Sequence, residues 1–266
     1  VTQDASAPIL LFDSGLGGLS VLGALREQLP DAPVIYAADF AGIPYGEKTE
    51  AEVAARVAGL LGRLAERLHP RLICIACNTA STIALGMVRD VLETPIVGTV
   101  PAIKPAAEMT RSGTIGLLGT AATIRQTYVD NLEAEFAKGK RLLRFAAPEL
   151  VDAAELKLRG GKPDPAIFER AAQGLRQQPG GEDIDTVVLA CTHFPLVQEE
   201  LAAAFGDKVQ FIDGAQGIAR RIAYLTQSQS FDRQGEDYAI VTGDEQDNPA
   251  LLGGLEPYGI RRILRL

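Results

Sequence analysis

Leu72-Ile-Cys-Ile-Ala-Cys77-Asn78-Thr79 and Val187-Val-Leu-Ala-Cys191-Thr192-His193 share one construction: a short apolar run, then Ala-Cys, then an abrupt change to polar residues. A run of this kind, closed by a polar turn, reads as a buried strand feeding the start of a helix. Working outward, strands are expected at Ile9–Asp13, Val34–Asp39, Leu72–Ala76, Pro95–Gly98, Thr114–Gly119, Thr186–Ala190, Val209–Asp213 and Tyr238–Thr242. Between them Val53, Val57, Leu60, Leu61, Leu64 and Leu68 recur at the spacing of one helix face. Leu117 to Thr127, Ala166 to Leu175 and Leu196 to Phe205 read as further helices or helix starts. This alternation predicts an α/β chain with mostly parallel sheets covered on both faces.

Ligands in such folds sit beyond the carboxyl ends of the strands, where the polar punctuation of this chain falls. The doubled cysteine passage suggests two similar doubly wound lobes with the active site between them. Gly98-Thr-Val-Pro-Ala and Asp213-Gly214 read as the crossings, so residues 1–99 with 214–266 are expected to form one lobe and residues 100–213 the other.

The chain has 266 residues, 47% of them hydrophobic, and a net charge of -8, which fits a globular protein and argues against nucleic acid or an anionic membrane as partner. Three cysteines do not read as a disulfide framework, and a reducing, cytoplasmic setting is expected. No run reaches the roughly 18 apolar residues of a membrane span, and Val1-Thr-Gln-Asp lacks a signal pattern.

Cys77 and Cys191 each follow a strand and precede a helix start, where backbone N–H groups and the helix dipole are expected to lower a thiol from about 8.5. A lone buried cysteine is an ordinary small hydrophobe, but two with the same polar sequel point to chemistry. Cys74, three residues from Cys77 in an extended run, faces away from it and reads as core. His193 stands within reach of the Cys191 proton, whereas His69, before Pro70, reads as a helix cap. Asp13-Ser-Gly-Leu-Gly-Gly18 imitates a dinucleotide loop, yet Ser20 occupies the third glycine position and Asp13 would face the pyrophosphate. Asp13 is better used as a carboxylate proton partner at the cleft. Pro44-Tyr45-Gly46 offers a rigid turn with N–H groups for a carboxylate, and Ser14, Asn78, Thr79, Thr120, Thr123 and Thr192 add neutral donors. Glu155, read alone, is a solvated helix charge. Cys77, Cys191 and His193 lack the spacing of a metal site, so no metal is expected.

Together, Asp13-Ser-Gly-Leu-Gly-Gly18, Pro44-Tyr-Gly-Glu-Lys48, Cys77-Asn-Thr-Ala-Ser81 and Cys191-Thr-His-Phe-Pro-Leu196 resemble the signatures of the bacterial glutamate racemases, in order and over nearly the whole chain. The Cys-Thr-His form resembles these more than the related aspartate racemases, which as a rule carry Cys-Thr-Glu. The resemblance implies a cofactor-independent isomerase that interconverts L- and D-glutamate and supplies D-glutamate for peptidoglycan, hence for cell wall biogenesis and cell shape. It implies Cys77 and Cys191 as the acid/base pair, assisted by Asp13 and by His193 with Glu155. The implied substrate-binding positions are Asp13, Ser14, Tyr45, Gly46, Asn78, Thr79, Thr120, Thr192 and His193. Two departures stand out: no arginine precedes Pro44, and Ala147-Pro-Glu-Leu replaces a more apolar, cysteine-started segment.

From the residues alone, two other classes remain: a one-thiol hydrolase or amidase built on Cys191 and His193, and a two-lobed binding protein for a small acidic amino acid. A homodimer is expected, with Phe40 and Ile43 near the cleft mouth as candidate contacts.

Overall fold

The computed structural model describes residues 4–266. Among the described residues ten strands form two wholly parallel sheets. In chain order they are β1 Ile9–Asp13, β2 Val34–Ala38, β3 Leu72–Ile75, β4 Ile96–Gly98, β5 Thr114–Gly119, β6 Arg141–Ala146, β7 Thr186–Ala190, β8 Gln210–Ile212, β9 Asp237–Val241 and β10 Ile260–Arg265. The sheet orders are β10-β9-β2-β1-β3-β4 and β6-β5-β7-β8. The first four strands and the next four thus repeat one winding, and β9 and β10 extend the first sheet. Each sheet with the helices packed on it is called a lobe below.

All five residues of β1 are buried because helices cover both faces of its sheet. Ile9 and Leu11 enter one apolar cluster while Leu10 and Phe12 enter another, the two-residue alternation of a strand between two helical layers. The helix Glu50–Leu68 opens with a capping box between Thr49 and Glu52 and ends at His69, whose φ of 45° turns the chain out before Pro70. The stretch from Leu117 differs from expectation: Leu117–Gly119 completes β5, and only Ala121–Ile124 is helical. Pairing to β6 and β7 on either side holds that apolar run extended.

Register sets the site. Phe12 pairs with Ile75, so Asp13 and Ser14 leave the sheet beside Ala76 and Cys77. In the second lobe Gly119 pairs with Ala190, so Thr120 leaves beside Cys191. Both exits are the points where each sheet reverses its strand order, which is where open α/β sheets bind ligands.

Candidate active site

Cys77 is the N-cap of the helix Asn78–Val91, its sulfur accepting from the Ala80 N–H at 3.5 Å and lying 3.7 Å from Ser14 Oγ. Cys191 directly follows β7, ahead of the Thr192–His193 turn that leads into Phe194–Val197. Both thiols line one cavity of about 360 Å³ between the lobes. Ser14, Tyr45, Gly46, Asn78, Thr79, Thr120, Thr192 and His193 share its wall. Asp13 and Glu155 do not: both stand behind the wall, so Asp13 is not placed to touch a substrate in the cavity.

The two thiols have different surroundings. Burial, and then the charge of Asp13, push the Cys77 thiol well above the usual thiol range, overriding the expected lowering by the helix N-terminus. Asp13 is fully buried and accepts from the Gly15 N–H and from Thr192 Oγ1, each at 3.0 Å. Burial also raises its own carboxyl. Next to Cys191, His193 Nδ1 lies 3.9 Å from the sulfur and His193 Nε2 lies 2.9 Å from Glu155 Oε1. Burial alone would lower the imidazole, but the contacts with Cys191 and Glu155 hold it well above the ordinary histidine range. Glu155 is pushed up by burial and more than compensated by His193, ending below the usual carboxylate range. Glu155 is therefore no solvated charge; its Oε1 also accepts from the Leu16 N–H at 2.6 Å.

Neutral donors and acceptors complete the wall. Thr79 Oγ1 of the first lobe is 3.0 Å from Thr120 Oγ1 and 3.2 Å from Thr123 Oγ1 of the second. Asn78 Oδ1 is buried without a hydrogen-bond partner, an open acceptor on the cavity wall. The Pro44-Tyr45-Gly46 turn follows a cis Ile43–Pro44 bond. Its Tyr45 hydroxyl points away from the cavity and donates to Asp39 at 2.6 Å, leaving the backbone of the turn for a ligand. Asp39, which only mimicked a ribose ligand in the sequence, also accepts from Arg56 and from Thr242 Oγ1. Phe40 and Ile43 are partly buried, packed against the apolar clusters of the two lobes.

Sequence reasoning missed several contacts. Ser20 Oγ donates to the Thr192 carbonyl at 3.0 Å, and Tyr36 Oη donates to the Gly15 carbonyl at 2.7 Å. Arg159 reaches Glu155 and Glu245, and only its spacing of four from Glu155 could have signalled this. Cys74 is fully buried core, with its thiol pushed up to about 12 by burial. Among the described residues no group of three His, Cys, Asp or Glu side chains is arranged for a metal ion, and no helix is long and apolar enough to cross a membrane.

The family description Asp/Glu/Hydantoin racemase matches residues 19–222 of this chain. The glutamate racemase of Sphingopyxis alaskensis is 62% identical over 258 residues, covering 97% of this chain and 96% of that relative. The glutamate racemase of Photorhabdus laumondii is 40% identical over 271 residues, covering 100% and 93%. Among solved structures, Escherichia coli glutamate racemase in complex with L-glutamate and the activator UDP-MurNAc-Ala superposes with a TM-score of 0.91, at 38% identity and 98% coverage of both chains. The paired thiols on one cavity, the repeated winding and these likenesses agree: the chain belongs to the Asp/Glu/Hydantoin racemase family, together with the glutamate racemases.

Proposed function

We propose that this chain racemises glutamate by two-thiol acid/base catalysis, and that the product serves peptidoglycan synthesis in the cytoplasm. One observation carries the mechanism: Cys77 and Cys191 reach the same small cavity from opposite lobes. One sulfur, as thiolate, takes the α-proton from one face of the substrate. The C–H electron pair stays on Cα in a carbanion-like state, and the other sulfur, as thiol, delivers a proton to the opposite face. Return of the product reverses the two roles. A weakly acidic α-proton calls for a dry, preorganised site, and both thiols are more than nine-tenths buried, at 6% and 7% exposure.

Asn78 Oδ1 suits the substrate ammonium, and the Tyr45–Gly46 backbone with the Thr79, Thr120 and Thr192 hydroxyls suits its carboxylates. Asp13 acts on the Cys77 side from behind the wall, and His193 with Glu155 on the Cys191 side. The lobes are residues 1–99 with 214–266, and residues 100–213; their closure excludes water. The active form is a homodimer.

In heavy water the reading requires deuterium at Cα of glutamate, with near-complete loss of racemisation in Cys77→Ser and in Cys191→Ser. Near-native racemisation by either variant overturns it. A Cys191–His193 amidase would instead keep activity in Cys77→Ser and form a covalent adduct on Cys191, and a binding protein would exchange no deuterium.

The E. coli relative was solved with an activator bound, and a second cavity of about 870 Å³ here supports extending the reading to activation. It adjoins both lobe crossings, and Lys104, Arg220 and Arg221 in its wall suit the phosphates of a nucleotide-linked effector. UDP-MurNAc-Ala is expected to raise kcat/KM in the wild-type chain and to lose that effect in Arg220→Ala; an unresponsive wild type refutes the extension.

A further inference from the structure

Arg159 directly follows the second-lobe helix Glu149–Leu158 as its C-cap. Its guanidinium lies 2.8 Å from Glu245 Oε2, 3.5 Å from Glu155 Oε2 and 5.3 Å from the centre of the Phe40 ring. Glu245 is also held by Asn248 Nδ2 at 2.9 Å. Phe40 follows β2 and Glu245 follows β9, so both belong to the first lobe. Glu155 Oε1 is committed to Leu16 and His193, while Glu155 Oε2 is buried with no hydrogen bond. Arg159 is the cation facing that second oxygen.

We propose that Arg159 is a positioning residue for the Cys191 side of the site, holding Glu155 against His193 from an anchorage on Glu245 and Phe40 of the opposite lobe. The proposal rests on the two-thiol reading given above. A guanidinium with 21% exposure beside a buried carboxylate keeps its charge effective, unlike a fully solvated pair. Its anchors lie across the interlobe gap, so separating the lobes withdraws them and loosens Glu155. The contact thereby ties readiness of one thiol to closure.

The groups around Glu155 set the sign of the test. His193 faces it from the turn after β7, Asp13 from β1, Tyr36 from β2 and Glu245 from the loop after β9. Removing the Arg159 cation while these remain makes ionised Glu155 less favourable, so its carboxylate is lost at a higher pH. The test is the pH profile of kcat for glutamate in both directions, with folding checked by thermal melting. Arg159→Ala is expected to move the acid limb up by about 0.5–1 pH unit, and Arg159→Lys to recover at least half of that shift. The double variant Arg159→Ala/Glu245→Ala is expected to lose no more kcat than Arg159→Ala alone, since Glu245 acts through Arg159. An unmoved acid limb in folded Arg159→Ala, a lysine variant as displaced as the alanine one, or multiplying losses in the double variant each overturn the proposal. A wild-type chain that exchanges no α-proton would sink the underlying reading instead, and the same assay reports it separately.

Discussion

Replacing Gly17 with alanine tests how tightly the first lobe is fitted to His193. A Cβ on Gly17 would stand 2.5 Å from His193 Nδ1, 2.5 Å from Thr192 Oγ1 and 2.8 Å from His193 Cε1. Ordinary contact needs about 1 Å more on each. The φ angle of Gly17 is not positive, so space and not backbone strain is the obstacle. His193 is buried between Glu155 and Cys191 and cannot retreat without leaving one of them. A displacement of ~1 Å in a catalytic group costs about 10²-fold in rate. Overpacking of this kind costs about 1–3 kcal/mol, or a Tm loss of a few degrees per kcal/mol at this chain length. Gly17→Ala is therefore expected to fold, melt somewhat lower and racemise glutamate about a hundredfold more slowly. Polarimetry from each enantiomer and a thermal melt measure both effects. Gly23→Ala is the control: that helical glycine meets nothing nearer than Tyr258 at 3.7 Å, so alanine should leave activity intact and add about 0.5–1 kcal/mol of stability. A folded Gly17→Ala enzyme within threefold of the wild-type kcat would refute the reasoning.

Asp39→Asn removes the charge that gathers Arg56, Tyr45 and Thr242 behind the Tyr45–Gly46 turn. Because the turn is proposed to hold substrate and carries no thiol, KM for glutamate should rise about tenfold while kcat changes little, as expected for lost uniform binding. At Asp185, burial pushes the carboxyl up but hydrogen bonds from Thr110, Ser112 and Arg111 outweigh it and bring it down to about 2. A depressed carboxylate stabilises the fold above its unfolded value and loses that contribution as pH falls. Denaturant melts should therefore find Asp185→Asn less stable at neutral pH, with the gap to wild type closing between pH ~4 and ~2. Leu61→Ala, at a fully buried position facing the first sheet, should cost about 2–5 kcal/mol in the same melts.

The central strands were legible because each is buried on both faces and writes an unbroken apolar run: Ile9–Asp13, Thr114–Gly119 and Thr186–Ala190 occupy the residues read from sequence. The two strands not foreseen, Arg141–Ala146 and Ile260–Arg265, lie at sheet edges. An edge strand has one open side and tolerates charge, so Arg144, Arg261 and Arg262 broke the pattern that betrays a strand. The part of the cavity wall at strand ends and in polar turns was legible. Pro148, Glu149, Val151 and Asp152, at the start of a second-lobe helix, were not, because a helix face reaching into the cavity leaves no polar turn to mark it. Nor were the groups behind the wall. Asp13 meets Thr192, Leu16 meets Glu155 and Arg159 meets Glu245, each across a gap between lobes that no local spacing encodes.

The expected lowering of the Cys77 thiol fails on magnitudes, and that failure divides the two thiols. A helix N-terminus is worth about 0.3–1 kcal/mol in water and ~2 when partly buried. Full burial shifts a titrating group by up to about 3–5 pH units, at about 1.4 kcal/mol each, and Asp13 adds to it. On the proposed two-thiol reading, ionised Cys77 then draws on the positive charge of the substrate ammonium, whereas Cys191 has His193 and Glu155 beside it without substrate. Two enantiomers have equal free energy, so kcat/KM must be identical in both directions for any variant. Asymmetry can appear only in kcat and KM separately. The complex that begins with Cys191 as thiolate draws on Glu155 in its ground state, and the complex that begins with Cys77 as thiolate does not. Glu155→Gln should then raise KM for one enantiomer and lower kcat for the other, while kcat/KM falls equally for both. Equal changes of kcat and of KM in the two directions would show that Glu155 serves both thiols alike, and would sink the division.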